Sequence, residues 1–223
     1  MRSVTFQNPA GGECPISGSR TNKNLRPTVN SYMFGNARAI SEIAKLAGDK
    51  KIADEFAAKA TRLKNLIETD LWNPDAKFFE VRRDNGKFSD VREEIGFIPW
   101  MFDLPPDNSE FNSAWKQLTD VNGFSAPYGI TTAERRSPFF RTHGYGHCAW
   151  DGADWPFATS QTLDALANVL RSESLAPSGG EGASVSLTPR DYFDAFLTYV
   201  ESQHYDGLPY IGEYLDETTG QWI

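Results

Sequence analysis

Helical periodicity is the feature that most restricts what this chain of 223 residues can fold into. Apolar side chains recur three and four positions apart in several stretches, which is typical of amphipathic helices. Short turns and long loops alternate between these stretches, and no repeat of fixed period is present, so an array of α-hairpins or a toroid is favoured over a solenoid. The predicted helices cover 31–46, 51–71, 93–101, 108–118, 156–170 and 189–204.

Turn and capping residues support this all-α prediction. Gly48 is expected to end the first helix, and Thr188 with Pro189 is expected to open the last one as N-cap and first helical residue. The segment Phe78–Val81, followed by Asp84–Gly86, predicts one small β-hairpin inserted between helices.

Composition excludes some classes of partner and leaves others open. The formal net charge of -8 argues against nucleic-acid binding, because such a surface repels phosphates. No run of 18 apolar residues is present, so we expect no membrane partner. Aromatic residues make up 13% of the chain, with six Trp. They fit either a large aromatic core or a carbohydrate site, since sugar rings pack on indole and phenol rings.

The loop from 122 to 154 concentrates unusual residues, above all in Arg141–Trp150, which runs directly into Asp151–Pro156. Aromatic and His side chains beside glycines fit either close approach to a ligand or a cap over the core. His143, His147 and Cys148 invite a metal interpretation. However, the intervening glycines argue against one helical face, and no carboxylate or Cys cluster lies nearby, so we expect neither metal nor cofactor.

The closing segment Leu208–Ile223 holds a second signal. Glu213 lies between Gly212 and Tyr214 in a mostly apolar context, where burial would raise its pKa or require a partner. Asp216 and Glu217 are interpreted as surface turn residues.

Three segments resemble the six-hairpin glycosidases, which include mannosylglycerate hydrolase-like enzymes, processing α-glucosidase I and, more loosely, trehalase. Tyr210–Gly220 is similar to the closing motif of that family. Trp150–Pro156 resembles its Trp-x-Gly-Pro-x-Trp-Pro sugar-binding loop, with Ala153 in place of Pro and Asp154 in place of an apolar residue. Arg26–Met33 is similar to the segment that opens a helix of the second half-barrel.

The resemblance implies that 1–223 is a single partial domain, about half of an (α/α)6 toroid of twelve helices. It also implies inverting glycoside hydrolysis by paired carboxylates, with Glu213 as general base. The segment Gly11–Ser17 is the nearest match to the family's general-acid motif and would assign that role to Glu13. The expected sugar-binding residues are Trp150, Trp155, Arg141, His143, Tyr145, Asp151 and Tyr214.

Two other functions stay open. One is a non-catalytic carbohydrate-binding or assembly module derived from such a hydrolase. The other is a sugar epimerase or isomerase on the same toroid, using His143, His147 or His204 as acid or base. Half a toroid would expose apolar helix faces, so we expect a missing N-terminal half or a homo-oligomer beside the carbohydrate partner.

Overall fold

The computed structural model describes residues 24–141, 150–175 and 187–223, and these ranges contain six α-helices. The prediction of a mainly helical chain is confirmed. Two short 3-10 helices, Glu94–Phe97 and Ser113–Gln117, accompany α3 and α4. The α-helices are α1 Pro27–Leu46, α2 Lys50–Leu71, α3 Ile98–Met101, α4 Ser109–Asn112, α5 Pro156–Leu175 and α6 Pro189–Ser202.

Local chemistry explains where the long helices begin and end. Gly48, with φ +75°, follows α1, and its N–H donates to the carbonyl oxygen of Lys45, as expected of a residue that ends a helix. The Asp49 carboxylate accepts the backbone N–H of Ile52 and caps α2. At α6, Thr188 and Asp191 form a reciprocal capping box.

The described ranges also contain three two-stranded antiparallel hairpins, two between helices and one after α6. The predicted turn at 84–86 exists, because Arg82 pairs with Phe88 across it. The predicted partner of Phe78–Phe79 is wrong, because these residues pair with Trp72–Asn73, which precede them in the chain. The side-chain amide oxygen of Asn73 accepts the backbone N–H groups of Asp75 and Ala76 and so closes the turn between the two strands. The pairs are β1 Trp72–Asn73 with β2 Phe78–Phe79, β3 Ser125–Ala126 with β4 Gly129–Ile130, and β5 His204–Tyr205 with β6 Leu208–Pro209.

The main core is aromatic and lies between the helical layers. Phe97 stacks on Trp115 with ring centroids 4.6 Å apart, and Phe78 meets Phe97 edge-on at 5.0 Å. Much of the aromatic content therefore belongs to the core rather than to a ligand surface. Around it, α1 packs on α2, α3 on α5, and α5 on α6. Within the described ranges, no helix is both long and apolar enough to cross a bilayer.

Candidate active site

Backbone pairing between Asp154 and Leu215 brings the two motif segments together. The N–H of each donates to the carbonyl oxygen of the other, at 3.1 and 3.0 Å. Asp154 lies just before α5 and Leu215 lies in the closing segment, so the fold joins parts of the chain that are distant in sequence. Gly152 allows the backbone of Arg141 to approach this loop closely, because a Cβ at position 152 would overlap the carbonyl group of Arg141.

An aromatic stack reinforces this junction. The rings of Trp155 and Tyr214 are 4.9 Å apart and within 9° of parallel, and the Trp150 ring lies 4.6 Å from that of Trp155 at an angle of 32°. Trp155 and Tyr214 are each only 5% exposed, whereas Trp150 is partly exposed. Trp155, expected among the sugar-binding residues, is therefore covered by its neighbours in this structure. Trp150 is therefore the member of the stack that is accessible from solvent.

Asp151, which follows Trp150 in the chain, forms an ion pair with Arg141. The Asp151 side chain is nearly inaccessible, whereas that of Arg141 is 27% exposed. The N–H of Arg141 also donates to the Asp151 carbonyl oxygen at 2.8 Å, so the two chain segments are locked together. This arrangement leaves the guanidinium as the accessible member of the pair. His143, Tyr145 and Glu13, predicted as site residues, lie outside the described residues.

Glu213 lies on the surface directly before the stacked Tyr214. The apolar residues around Glu213 in the sequence do not bury it, because its side chain is exposed. Gly212 packs so closely on the Trp222 ring that a Cβ would overlap it. The Trp222 indole N–H donates to the carbonyl oxygen of His204 at 2.7 Å and so ties this segment to β5. Glu213 is therefore a solvent-accessible carboxylate on an anchored segment.

The next two acidic residues are buried, contrary to the sequence interpretation. Asp216 does make the expected turn, since one of its carboxylate oxygens accepts the N–H groups of Thr218 and Thr219 at 2.8 Å each. Yet Asp216 is 8% exposed and Glu217 is inaccessible. These two residues are buried because of a tertiary contact. The preceding residue, Leu215, pairs with both Asp154 and Trp222, so the turn lies against the rest of the protein.

A buried carboxyl pair underlies the junction. The Thr159 hydroxyl donates to Asp154 at 2.7 Å, and the Thr162 hydroxyl donates to Glu94 at 3.1 Å. Burial raises the pKa of Asp154 to about 7, and burial together with the nearby Asp154 raises that of Glu94 well above its ordinary value. Sequence reasoning missed Glu94. The only hint in the sequence came from Asp154, the residue that lies beside Glu94, because the resembled motif has an apolar residue at that position.

Of the His and Cys side chains considered for acid–base or metal roles, the structure describes His204, whereas His143, His147 and Cys148 lie outside the described residues. His204 lies exposed on β5, and its Nδ1 is 2.7 Å from the carbonyl oxygen of Glu201. In the part of the chain that the structure describes, no group of three or more His, Cys, Asp or Glu side chains is arranged to hold a metal ion.

Comparison with known proteins identifies the family. The model of the mannosylglycerate hydrolase MGH1-like glycoside hydrolase domain matches residues 10–223. A solved sialidase structure is 51% identical, with a TM-score of 0.85 over 96% of this chain. A mannosylglycerate hydrolase of glycoside hydrolase family 63 from Thermus thermophilus, in complex with glucose, is 20% identical, with a TM-score of 0.64 over 89% of this chain. Neutral trehalase from Saccharomyces cerevisiae is 13% identical, with a TM-score of 0.52 over 66%.

These matches cover only part of the other proteins: 19% of the sialidase chain, 43% of the mannosylglycerate hydrolase and 28% of the trehalase. At 20% and 13% identity the last two show the fold alone, that of the (α/α)6 toroid enzymes, and they confirm the fold class expected from the sequence. The family match extends over nearly the whole sequence. The chain belongs to the mannosylglycerate hydrolase MGH1-like glycoside hydrolase family.

Proposed function

We propose that this chain forms one part of the catalytic domain of an inverting glycoside hydrolase and contributes its general base. The observation that carries the proposal is the Trp155–Tyr214 stack. It holds the sugar-binding loop against the closing segment, so Glu213 and Trp150 belong to one rigid junction. Membership of a glycoside hydrolase family supports the reaction class.

Glu213 suits the role of general base. A base in inverting hydrolysis must reach the water on the far side of the sugar ring, and an exposed carboxylate on an anchored segment can do so. The general acid we assign to Glu13. We expect the two carboxyl groups to lie roughly 6.5–9.5 Å apart in the active enzyme, the separation that leaves room for the water.

The remaining predicted residues would bind the sugar. Trp150 offers a partly exposed indole, and the Arg141 guanidinium, held by Asp151, offers donors for hydroxyl or carboxylate oxygens. His143 and Tyr145 keep their proposed roles in the same loop. Trp155 and Tyr214 would act indirectly, by holding Trp150 and Glu213 in place.

A small glycoside is the substrate class that we favour. The mannosylglycerate hydrolase from Thermus thermophilus was solved with glucose, and in a further structure with Tris and D-glycerate. The sialidase match covers 19% of that chain, so we do not carry its activity over.

The test is the turnover of Glu213→Gln on an activated aryl glycoside, in the longest active polypeptide that contains this sequence. We expect a loss of about 10²–10⁴-fold with the fold intact. Glu42→Gln, an exposed change on α1 that faces Lys45, is the matched control and should keep wild-type turnover. NMR detection of the first product anomer reports inversion. Near wild-type rates in Glu213→Gln would show that another group is the base.

A non-catalytic sugar-binding module is the second candidate, favoured by the departure of Ala153 and Asp154 from the motif. Titrating monosaccharides while following Trp fluorescence, in the wild type and in Trp150→Ala, separates binding from turnover. Saturable binding that Trp150→Ala abolishes, without any hydrolysis by the active-length protein, would favour the module.

A further inference from the structure

Helices α1 and α5 begin side by side. The Tyr32 hydroxyl, in the second turn of α1, donates to the side-chain amide oxygen of Gln161, in the second turn of α5, at 2.7 Å. Tyr32 and Trp150 also pack against the same buried cluster, which contains Ile95 and Ile98. The residue that precedes α1 and the loop that precedes α5 therefore lie at the same end of the two helices.

Arg26 is the residue that precedes α1, and its backbone is anchored there. Leu25 exchanges two backbone hydrogen bonds with Arg82, at 2.8 and 3.0 Å. The Arg26 carbonyl oxygen accepts the side-chain amide of Asn30 at 2.7 Å. The Arg26 guanidinium pairs with the Glu93 carboxylate at 3.9 Å, and 18% of the Arg26 side chain is exposed, against 4% of that of Glu93.

Glu93 lies in the same small layer of extended segments as the candidate site. Its backbone pairs with Ala133, and Thr131 pairs with Asp154. Asp154 pairs in turn with Leu215 of the closing segment. Since neighbouring strands are about 4.8 Å apart, the segment that carries Glu93 lies roughly 10 Å from the one that carries Asp154. The two segments are therefore close enough to contact one disaccharide-sized ligand.

We propose that Arg26 is a further specificity-determining residue, whose guanidinium donates hydrogen bonds to hydroxyl oxygens of a neutral glycoside. Glu93 is its positioning residue. The inference rests on the proposed function, because it adds a second arginine to the same sugar site. Arg141 with Asp151 shows the same arrangement, in which a partly exposed guanidinium faces a nearly inaccessible carboxylate.

The charges of these two pairs indicate the class of ligand. A guanidinium carries five N–H donors in a planar fork, which suits a ligand rich in oxygen atoms. A carboxylate balances the charge of each arginine, Glu93 that of Arg26 and Asp151 that of Arg141. The pairs therefore favour the hydroxyl groups of a neutral sugar over an anionic group.

The kcat/KM of Arg26→Gln on neutral aryl glycosides, in the longest active polypeptide that contains this sequence, tests the contact. We expect a fall of about 10–100-fold, the effect of losing a hydrogen bond from a charged group. Arg38→Gln is the matched control. Arg38 also lies on α1 and pairs with Asp103 at the same 3.9 Å, but about three turns further along the helix, so this change should leave kcat/KM as in the wild type.

Substrates that lack single hydroxyl groups make the test specific. On the monodeoxy glycoside without the hydroxyl that Arg26 binds, the ratio of the wild-type kcat/KM to that of Arg26→Gln should fall to near one. Glu93→Gln should show the same pattern across the series, with a smaller loss. An equal loss on every substrate of the series, or a loss confined to glycosides with a carboxylate group, would overturn the proposal.

Sugar binding separates this inference from the proposed hydrolysis. Titration with neutral monosaccharides and disaccharides, followed by Trp fluorescence, should show an affinity at least tenfold weaker in Arg26→Gln, with helical circular dichroism unchanged. Wild-type affinity in Arg26→Gln would overturn the inference alone. Binding that depends on Arg26, in a wild type that hydrolyses no glycoside, would overturn the proposed function alone.

Discussion

The hydroxyl group of Thr159 lies within hydrogen-bonding distance of two carboxyl groups, that of Glu94 at 3.5 Å and that of Asp154 at 2.7 Å. One carboxyl comes from the 3-10 helix before α3 and the other from the loop before α5, and both are inaccessible to solvent. Two buried carboxylates so close together cannot both be ionised without a large cost. The stability of the junction between Asp154 and Leu215 should therefore depend on pH.

Asp154→Asn should remove part of the pH dependence of the free energy of unfolding. In the folded protein the pKa of Asp154 is about 7, against an ordinary value of 3.8, so the folded state holds its proton where the unfolded state has lost it. The free energy of unfolding should therefore fall as pH rises from about 4 to 7. The variant, which has no proton to lose, should be more stable than the wild type at pH 8, by an amount on the order of a few kcal/mol.

Urea denaturation at pH 5 and pH 8 measures this effect. Asp84→Asn, an exposed change in the 84–86 turn, should leave the difference between the two pH values as in the wild type. If Asp154→Asn loses as much stability between pH 5 and 8 as the wild type does, the pKa of Asp154 is not raised.

Trp155→Ala should destabilise the protein more than Trp150→Ala does. Trp155 is 5% exposed, stacks on Tyr214 and packs against Trp150, so its removal leaves a cavity that costs about 3–5 kcal/mol. Trp150 is partly exposed and loses less buried area. Chemical denaturation of both variants gives the comparison. Equal losses would mean that Trp155 is not the centre of the stack.

Gly96→Ala should be among the most damaging small changes in the chain. An added Cβ would overlap both the Phe78 ring and the carbonyl oxygen of Phe79, and the backbone atom cannot move aside cheaply. We expect a loss of about 1–3 kcal/mol or more. Gly86→Ala is the matched control: its φ of +79° disfavours Ala, but nothing lies near its Cβ position, so it should cost about 1 kcal/mol. A smaller shift in melting temperature for Gly96→Ala than for Gly86→Ala would contradict this packing.

Thr188→Ala should weaken the start of α6. The Thr188 hydroxyl accepts the N–H of Asp191, and the Asp191 carboxylate accepts the N–H of Thr188, so the change breaks a reciprocal cap. The expected cost is about 1 kcal/mol, read from thermal unfolding. Thr61→Ala, exposed in the middle of α2, should change stability by less than about 0.5 kcal/mol. Equal effects of the two changes would argue against a capping role.

The sequence by itself determined the helices and the family resemblance. Spacing of three and four between apolar residues predicted α1, α2 and α5, and Thr188 with Pro189 predicted the start of α6, because these signals act within one or two helical turns. The same local logic identified the turn at 84–86. Motif similarity in 150–156 and 210–220 pointed to the two segments that the family match also covers.

The exposure of the acidic residues was decided only by the tertiary structure. Glu213, which lies in a mostly apolar stretch of sequence, is exposed, and Glu217, interpreted as a surface turn residue, is inaccessible. Both outcomes follow from the pairing of Leu215 with Asp154, a contact between segments that lie far apart along the chain. The environment of a carboxyl group depends on what packs around it in space, and neither periodicity nor neighbouring residues encode that. The pairing of Glu94 with Asp154 was invisible for the same reason.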